Sequence, residues 1–141
     1  QEAMRVFLDA NILFSAAMPK SRIGGLVRLA KRHATLLTNS YAAEEARRNL
    51  ELKKNDFLPV FEKLLLDCEM VEGMSTPLSV GLVLKDVPIL GGAIAGNASH
   101  LLTGDESDFG VLFGKTIQGV TIVSPHMFGV ELEQRKWMKK E

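Results

Sequence analysis

The sequence lacks several features, and each absence excludes a class of protein. Its 141 residues include one cysteine, and its 17 acidic residues balance its 17 basic ones. Cys68 alone cannot form an internal disulfide, and its apolar surroundings predict a buried small side chain, so we expect a reducing, cytoplasmic compartment. No apolar run approaches the roughly 18 residues that span a bilayer, and the first residues lack the basic and apolar segments of a secretory leader.

Length and hydrophobicity predict one domain. With 46% hydrophobic residues, the chain can bury a core without disulfides or a structural metal. It contains no internal repeat, low-complexity tract or linker-like stretch that would divide it. We expect residues 4–141 to form a single domain, and residues 1–3, which precede Met4, to be an expression remnant.

Short apolar runs alternate with helical patterns along the chain. Strands are predicted at residues 5–9, 34–37, 69–72, 101–103 and 120–124, and helices at 23–30, 41–53, 57–67, from 86 onward and from 125 toward 137. The run 80–84 fits either a strand or a helix. This alternation predicts a three-layer α/β/α fold with a mostly parallel central sheet. In such sheets ligands lie outside the carboxyl ends of the strands, near the place where the strand order reverses.

Three aspartates stand where such a ligand site is expected. Asp9 and Asp105 end predicted strands, and Asp86 leads into a helix with Pro88 in its first turn. Each of them, taken alone, is equally typical of a helix N-cap. Separate caps give no reason for Asp9 and Asp105 to share one sheet edge with Asp86 beside it. We therefore interpret the three aspartates as one constellation.

A glutamate from the helix at 41–53 is the expected fourth acid. Glu44 has Arg48 four residues later, in the order that favours a surface ion pair. Glu45 has Asn49 at that spacing and borders the apolar stripe of the helix, from which it can lean toward Asp9. An ordinary surface role for Glu45 stays open.

Clustered carboxylates repel one another unless a cation neutralises them. Oxygen ligands without a histidine or cysteine cluster select Mg²⁺ or Mn²⁺, and His33, His100 and His126 are scattered without ligand spacing. Such a metal activates water for phosphodiester hydrolysis without a protein nucleophile. The sequence thus predicts metal-dependent hydrolysis.

Basic residues are concentrated between Lys20 and Lys54, where nine of them outnumber three acids. They are Lys20, Arg22, Arg28, Lys31, Arg32, Arg47, Arg48, Lys53 and Lys54. The segment is either a footprint for nucleic-acid phosphates or a set of solvated helix faces.

Three segments of the sequence resemble the PIN domains, the nuclease fold of many toxin–antitoxin toxins. The first, residues 5–14, has a hydrophobic-Asp-x-Asn-x-Leu pattern, and the second, residues 40–50, has an acid several positions before a leucine, which favours Glu45 over Glu44. The third, residues 85–109, is the most specific. The resemblance covers nearly the whole chain, from Arg5 to about Phe128.

The resemblance implies a ribonuclease acting on single-stranded or structured RNA. Asp9, Glu45, Asp86 and Asp105 would be catalytic metal ligands and Asp108 an accessory acid. Asn11 and Thr103 would orient Asp9. An antitoxin protein and a homodimer are also implied, and Val111–Phe113 could form a subunit contact, with burial in the core the favoured interpretation. One departure is Ser99, at a position that is often acidic in relatives.

Other classes of protein fit less well. A phospho-accepting receiver domain opens with adjacent acids and carries a lysine after a late strand, whereas Asp9 stands alone and no lysine directly follows residues 120–124. In a haloacid-type phosphatase, a second aspartate would replace Asn11. The stronger alternative is a PIN-like scaffold that binds RNA or a partner without cutting. Retention of all four acids argues against it, because their repulsion is costly without a metal.

Overall fold

The computed structural model describes residues 3–77 and 81–138 of the chain. Its strands are β1 (Arg5–Leu8), β2 (Thr35–Asn39), β3 (Cys68–Val71), β4 (His100–Leu102), β5 (Thr116–Ile117) and β6 (Val120–Val123). Its helices are α1 (Ala10–Ala16), α2 (Arg22–Lys31), α3 (Ser40–Lys53), α4 (Leu58–Leu66), α5 (Val87–Ala95), α6 (Glu106–Phe109) and α7 (Pro125–Gln134). Short 3-10 turns cover Asn55–Phe57, Leu84–Asp86 and Gly110–Leu112.

The six strands form one sheet in the order β3-β2-β1-β4-β6-β5. Every neighbouring pair is parallel except β5 and β6, which are antiparallel. The predicted α/β class with a mostly parallel sheet is therefore confirmed. The strand order reverses between β1 and β4, since β2 and β3 extend the sheet on one side of β1 and the later strands extend it on the other. The carboxyl ends of β1 and β4 thus define the edge at which a ligand is expected.

The two central strands form the deepest part of the core. Val6, Phe7, Leu8, Leu101 and Leu102 are fully buried, as expected for parallel strands covered on both faces. The continuous apolar runs that predicted these strands follow from this burial.

Helix α5 packs closely against β1 and β2 because its middle carries glycine. A Cβ atom at Gly92 would lie 2.5 Å from Asn39 Nδ2 and 3.2 Å from the Phe7 ring. Asn39 Nδ2 also donates to the Pro88 carbonyl at 3.1 Å, which ties the first turn of α5 to the end of β2. These contacts place Asp86, at the start of α5, over the carboxyl edge of the sheet.

Some elements differ from the sequence prediction. The edge strand β5 and the one-turn helix α6 were not predicted, because two residues of strand and four of helix leave too little periodicity. The ambiguous run 80–84 lies partly outside the described residues, and its end begins the 3-10 turn Leu84–Asp86. Among the residues that the structure describes, no helix has both the length and the apolar character needed to cross a bilayer.

Candidate metal centre

Asp9 follows β1 directly and is held from both sides. Its Oδ1 accepts from the Ala10 backbone N–H at 2.6 Å, while its Oδ2 accepts from Thr103 Oγ1 at 2.8 Å and from Asn11 Nδ2 at 3.3 Å. Only 5% of Asp9 is exposed, and this burial raises the pKa of its carboxyl although the Thr103 hydrogen bond lowers it. Asp9 is thus a helix N-cap, as one reading of the sequence had it, and also a fixed carboxylate at the ligand edge.

Thr103 and Asn11 join the ends of β1 and β4. The Thr103 hydroxyl, fully buried, accepts from the Asp105 backbone N–H at 3.1 Å, and Asn11 Oδ1 accepts from the Gly104 N–H at 2.7 Å. Both side chains therefore contact Asp9 and link the end of β1 to the end of β4.

Asp86 occupies the N-cap position of α5 without capping it. Its side chain makes no cap hydrogen bond, and Oδ2 is buried without a hydrogen-bond partner among the described residues. Burial, followed by the hydrogen bond that a proton on Asp86 makes to Asp108 and by the charges of Asp108 and Asp105, raises the pKa of Asp86 from its usual 3.8 to about 7. For this aspartate the capping interpretation is wrong, because its side chain is 6% exposed and its Oδ2 has no hydrogen-bond partner within the described part of the chain.

Three carboxylates converge at this edge. Asp86, Asp105 and Asp108 each offer an oxygen, and these oxygens lie within 4.8 Å of one another. Asp105 Oδ1 is held by the Asp108 backbone N–H at 3.0 Å, because Asp105 caps α6. Asp108, predicted as an accessory acid, therefore lies within the tightest group.

Asp9 and Glu45 lie next to this group and not within it. The charge of Asp9 contributes to the raised pKa of Asp86, and the charge of Glu45 contributes to the raised pKa of Asp9. The five acids thus form a continuous negative field in which Glu45, exposed on α3, is the outermost member.

Lys85 is a component of the site that sequence reasoning missed. Its ammonium lies 3.4 Å from Asp108 Oδ2, as an ion pair without hydrogen-bond geometry. The pKa of Asp108 is lowered. The largest cause is a hydrogen bond that Asp108 accepts from a proton held on Asp86, and Lys85 lowers the pKa further. In the sequence, the available indication of a role for Lys85 was its position directly before Asp86.

One sequence interpretation needs correction, and the structure explains the departure at Ser99. Glu44 pairs with Arg47 and not with Arg48, because Arg47 also reaches Glu62 on α4, with its Nε 2.7 Å from the Glu62 carboxylate. Ser99 lies at the start of β4, at the opposite end of that strand from Thr103, where its hydroxyl accepts from the Arg5 N–H at 2.9 Å. The missing acid at Ser99 therefore removes nothing from the acidic group.

The basic segment is partly neutralised within the fold. Lys31 pairs with Asp67 at 2.9 Å, and Arg47 pairs with Glu44 and Glu62. Lys31 and Arg47 are thus held in ion pairs within the fold. Fewer of the nine basic residues between Lys20 and Lys54 are therefore available to bind phosphate than their count indicated.

Comparisons with known proteins support the fold. No family model matches this sequence, and no curated protein matches it. Among solved structures, the chain is similar to a chain of VapBC2 from Rickettsia felis, in a crystal structure of VapBC2 bound to a DNA fragment from their promoter. The match has a TM-score of 0.62 and 19% identity, and it covers 86% of this chain and 98% of that one. The chain has a PIN-like α/β fold.

Proposed function

We propose that this chain is a metal-dependent endoribonuclease of the PIN kind, using Mg²⁺ or Mn²⁺. The observation that carries the proposal is the Asp86 carboxylate, which is 6% exposed, has an oxygen without a hydrogen-bond donor and faces Asp105 and Asp108. A buried acceptor without a partner costs about 1 to 3 kcal/mol, and more if it is charged. A hard divalent cation would coordinate this oxygen and would also neutralise the three carboxylates, so the residues present fit such an ion.

The residues have distinct roles in this proposal. Asp86, Asp105 and Asp108 would hold the cation, and Asp9, whose Oδ2 is oriented by Thr103 and Asn11, would add negative charge beside it. Glu45, exposed on α3, would add negative charge beside Asp9. A bound cation would supply Lewis-acid activation of a water molecule and charge neutralisation at the phosphate.

The shape of the site favours a polymeric substrate. A cleft of about 970 Å³ lies between α2 and α7, yet none of the five acids lines it. The acids instead stand at the end of the sheet, where Glu45 is exposed and Asp105 and Asp108 are half-buried. A nucleic-acid strand can lie across such an edge, whereas a small metabolite usually needs an enclosing pocket. We therefore propose RNA, single-stranded or structured, as the substrate.

A toxin–antitoxin setting is the biological part of the proposal. The resemblance of the sequence implies an antitoxin partner and a homodimer, and one solved structure that is similar in fold is that of VapBC2 bound to a DNA fragment. Leu84 and Val111 are 86% and 80% exposed and lie within three residues of Asp86 and Asp108. Within the segment 111–113, Leu112 is buried and Phe113 packs against the core, as the favoured sequence interpretation expected, whereas Val111 is exposed. The exposed Leu84 and Val111 side chains offer apolar surface near the acids that a protein partner can cover.

The decisive test is cleavage of a mixed-sequence single-stranded RNA, and of a structured RNA, with Mg²⁺, Mn²⁺ or excess EDTA. We expect cleavage that requires metal and that falls at least 100-fold in Asp9→Asn, because this change removes a ligand charge while keeping the side-chain volume. Asp56→Asn, an exposed aspartate outside the site, is the matched control and should cleave like the wild type.

Each negative outcome has a defined meaning. Cleavage that persists in EDTA or in Asp9→Asn would show a contaminating or metal-independent nuclease. Metal binding and RNA binding without any cleavage would favour the non-catalytic scaffold.

A further inference from the structure

A lysine already stands at the acidic group as its counter-ion. Lys85 belongs to the 3-10 turn Leu84–Asp86, and its ammonium lies 3.4 Å from Asp108 Oδ2. The charges of Asp86 and Asp105 act on it as well. Lys85 therefore balances part of the carboxylate repulsion as a tethered monovalent cation.

This contact is suited to exchange. The Lys85 side chain is 68% exposed, and its ion pair with Asp108 lacks hydrogen-bond geometry. Exposed pairs of this kind contribute little to stability, so displacement costs little. The backbone of Lys85, in contrast, is held next to buried Asp86, so a displaced ammonium stays within one side-chain length of the centre.

A divalent cation on Asp86, Asp105 and Asp108 would displace the ammonium. The two cations would lie within a few ångströms of each other, and the divalent ion would take over the charge of Asp108. Because the Lys85 side chain is largely exposed, the displaced ammonium would lie in solvent next to the group. A phosphodiester approaching the metal from solvent presents the nearest unpaired negative charge.

We propose that Lys85 exchanges partners during the reaction cycle. It is the counter-ion of Asp108 in the metal-free protein, and it contacts a substrate phosphate once a divalent cation is held. The second half of this proposal rests on the proposed ribonuclease function, whereas the first half does not.

The first arm of the test measures Mn²⁺ affinity in the absence of RNA, by electron paramagnetic resonance. Lys85→Gln should bind Mn²⁺ about three- to tenfold more tightly than the wild type, because the competing cation is gone. Lys85→Arg should behave like the wild type, and Lys63→Gln, on the exposed face of α4, is the control for loss of a surface charge. Unchanged or weaker Mn²⁺ binding by Lys85→Gln would overturn the counter-ion role.

The second arm measures binding of an uncleavable 2′-O-methyl single-stranded RNA in saturating Mn²⁺, at several salt concentrations. Lys85→Gln should lose about three- to tenfold in affinity, and the slope of log K against log salt should fall by about 0.7, which is one phosphate contact on a single strand. Lys85→Arg should restore both quantities. Unchanged RNA affinity and slope in Lys85→Gln would overturn the phosphate contact.

The two failures are distinguishable. If the wild type cleaves RNA but Lys85→Gln shows neither change, the exchange is wrong and the ribonuclease function stands. If the wild type binds no RNA but Lys85→Gln binds Mn²⁺ more tightly, the ribonuclease function and the phosphate contact are wrong, and the counter-ion role is supported.

Discussion

Replacing Asp86 with asparagine should stabilise the metal-free protein at alkaline pH. The pKa of Asp86 is raised from 3.8 to about 7, mainly by burial and then by Asp108 and Asp105. Between these two values the unfolded chain has lost this proton and the folded chain keeps it. The folded state therefore becomes less stable as the pH rises from about 4 through 7, and above 7 the full penalty is present. An asparagine avoids it, because its amide does not ionise.

The size of the effect follows from the shift. Three pKa units correspond to about 4 kcal/mol at 1.36 kcal/mol per unit, which is an upper limit. Asp108 offsets part of it, since the pKa of Asp108 is lowered by the same contact. Water at the open side of the group screens a further part. We expect Asp86→Asn to raise the free energy of unfolding by about 1 to 2 kcal/mol at pH 8.5 and by close to zero at pH 4.

Urea unfolding in EDTA, followed by circular dichroism at 222 nm at both pH values, measures this difference. Asp56→Asn, which removes an exposed charge, should change the free energy of unfolding by less than about 0.5 kcal/mol at either pH. A loss of stability in Asp86→Asn at pH 8.5, or an equal gain at both pH values, would show that the Asp86 carboxylate carries no electrostatic penalty.

Binding of Mn²⁺ should make the wild type more stable than Asp86→Asn, which is the reverse of their order without metal. A ligand at 100 times its dissociation constant stabilises a protein by about 2.7 kcal/mol, and the wild type should gain this amount with Mn²⁺ at pH 8.5. Asp86→Asn, lacking the unsatisfied carboxylate, should gain much less. An equal Mn²⁺-induced gain in both proteins would place the metal away from Asp86.

Two further predictions concern the support of the site. Thr103→Val removes the 2.8 Å hydrogen bond to Asp9 Oδ2, so it should weaken Mn²⁺ binding by about 10- to 100-fold in calorimetric titration; unchanged affinity would show that Thr103 does not orient Asp9. Gly92→Ala puts a Cβ atom 2.5 Å from Asn39 Nδ2 and should lower the free energy of urea unfolding by about 1 to 3 kcal/mol. Gly25→Ala, with its nearest atom 3.9 Å away, should instead be neutral or stabilising, and equal effects of the two changes would refute the close packing of α5.

Much of the sheet was predictable because its signal is local. The runs that became β1 and β4 contain three and two consecutive apolar residues, and each is followed by a polar residue, which fits parallel strands that are buried on both faces. Asn39 likewise caps α3, with its side chain accepting from the Ala42 N–H at 3.0 Å, which is typical of an asparagine directly before a helix. The edge strand β5 could not be predicted, because it depends on pairing with β6.

Details of the site depended on contacts between distant segments. Arg47 pairs with Glu44 because Glu62, on another helix, holds the same guanidinium. Lys85 and Asp108 are 23 positions apart in sequence and meet only because the turn before α5 lies against α6. Spacing rules describe neighbours along one helix, so neither pairing has a local signal.

The sequence by itself determined which residue types stand at the ends of the strands, and therefore that Asp9 and Asp105 would share an edge in any parallel sheet of this order. Only the tertiary structure decided that Asp86, Asp105 and Asp108 form the tight group, with Asp9 and Glu45 beside it. The physical reason is burial. Whether a carboxylate keeps a hydrogen-bond donor depends on how α5 packs against β1 and β2, and that packing brings together side chains from segments that no local pattern connects.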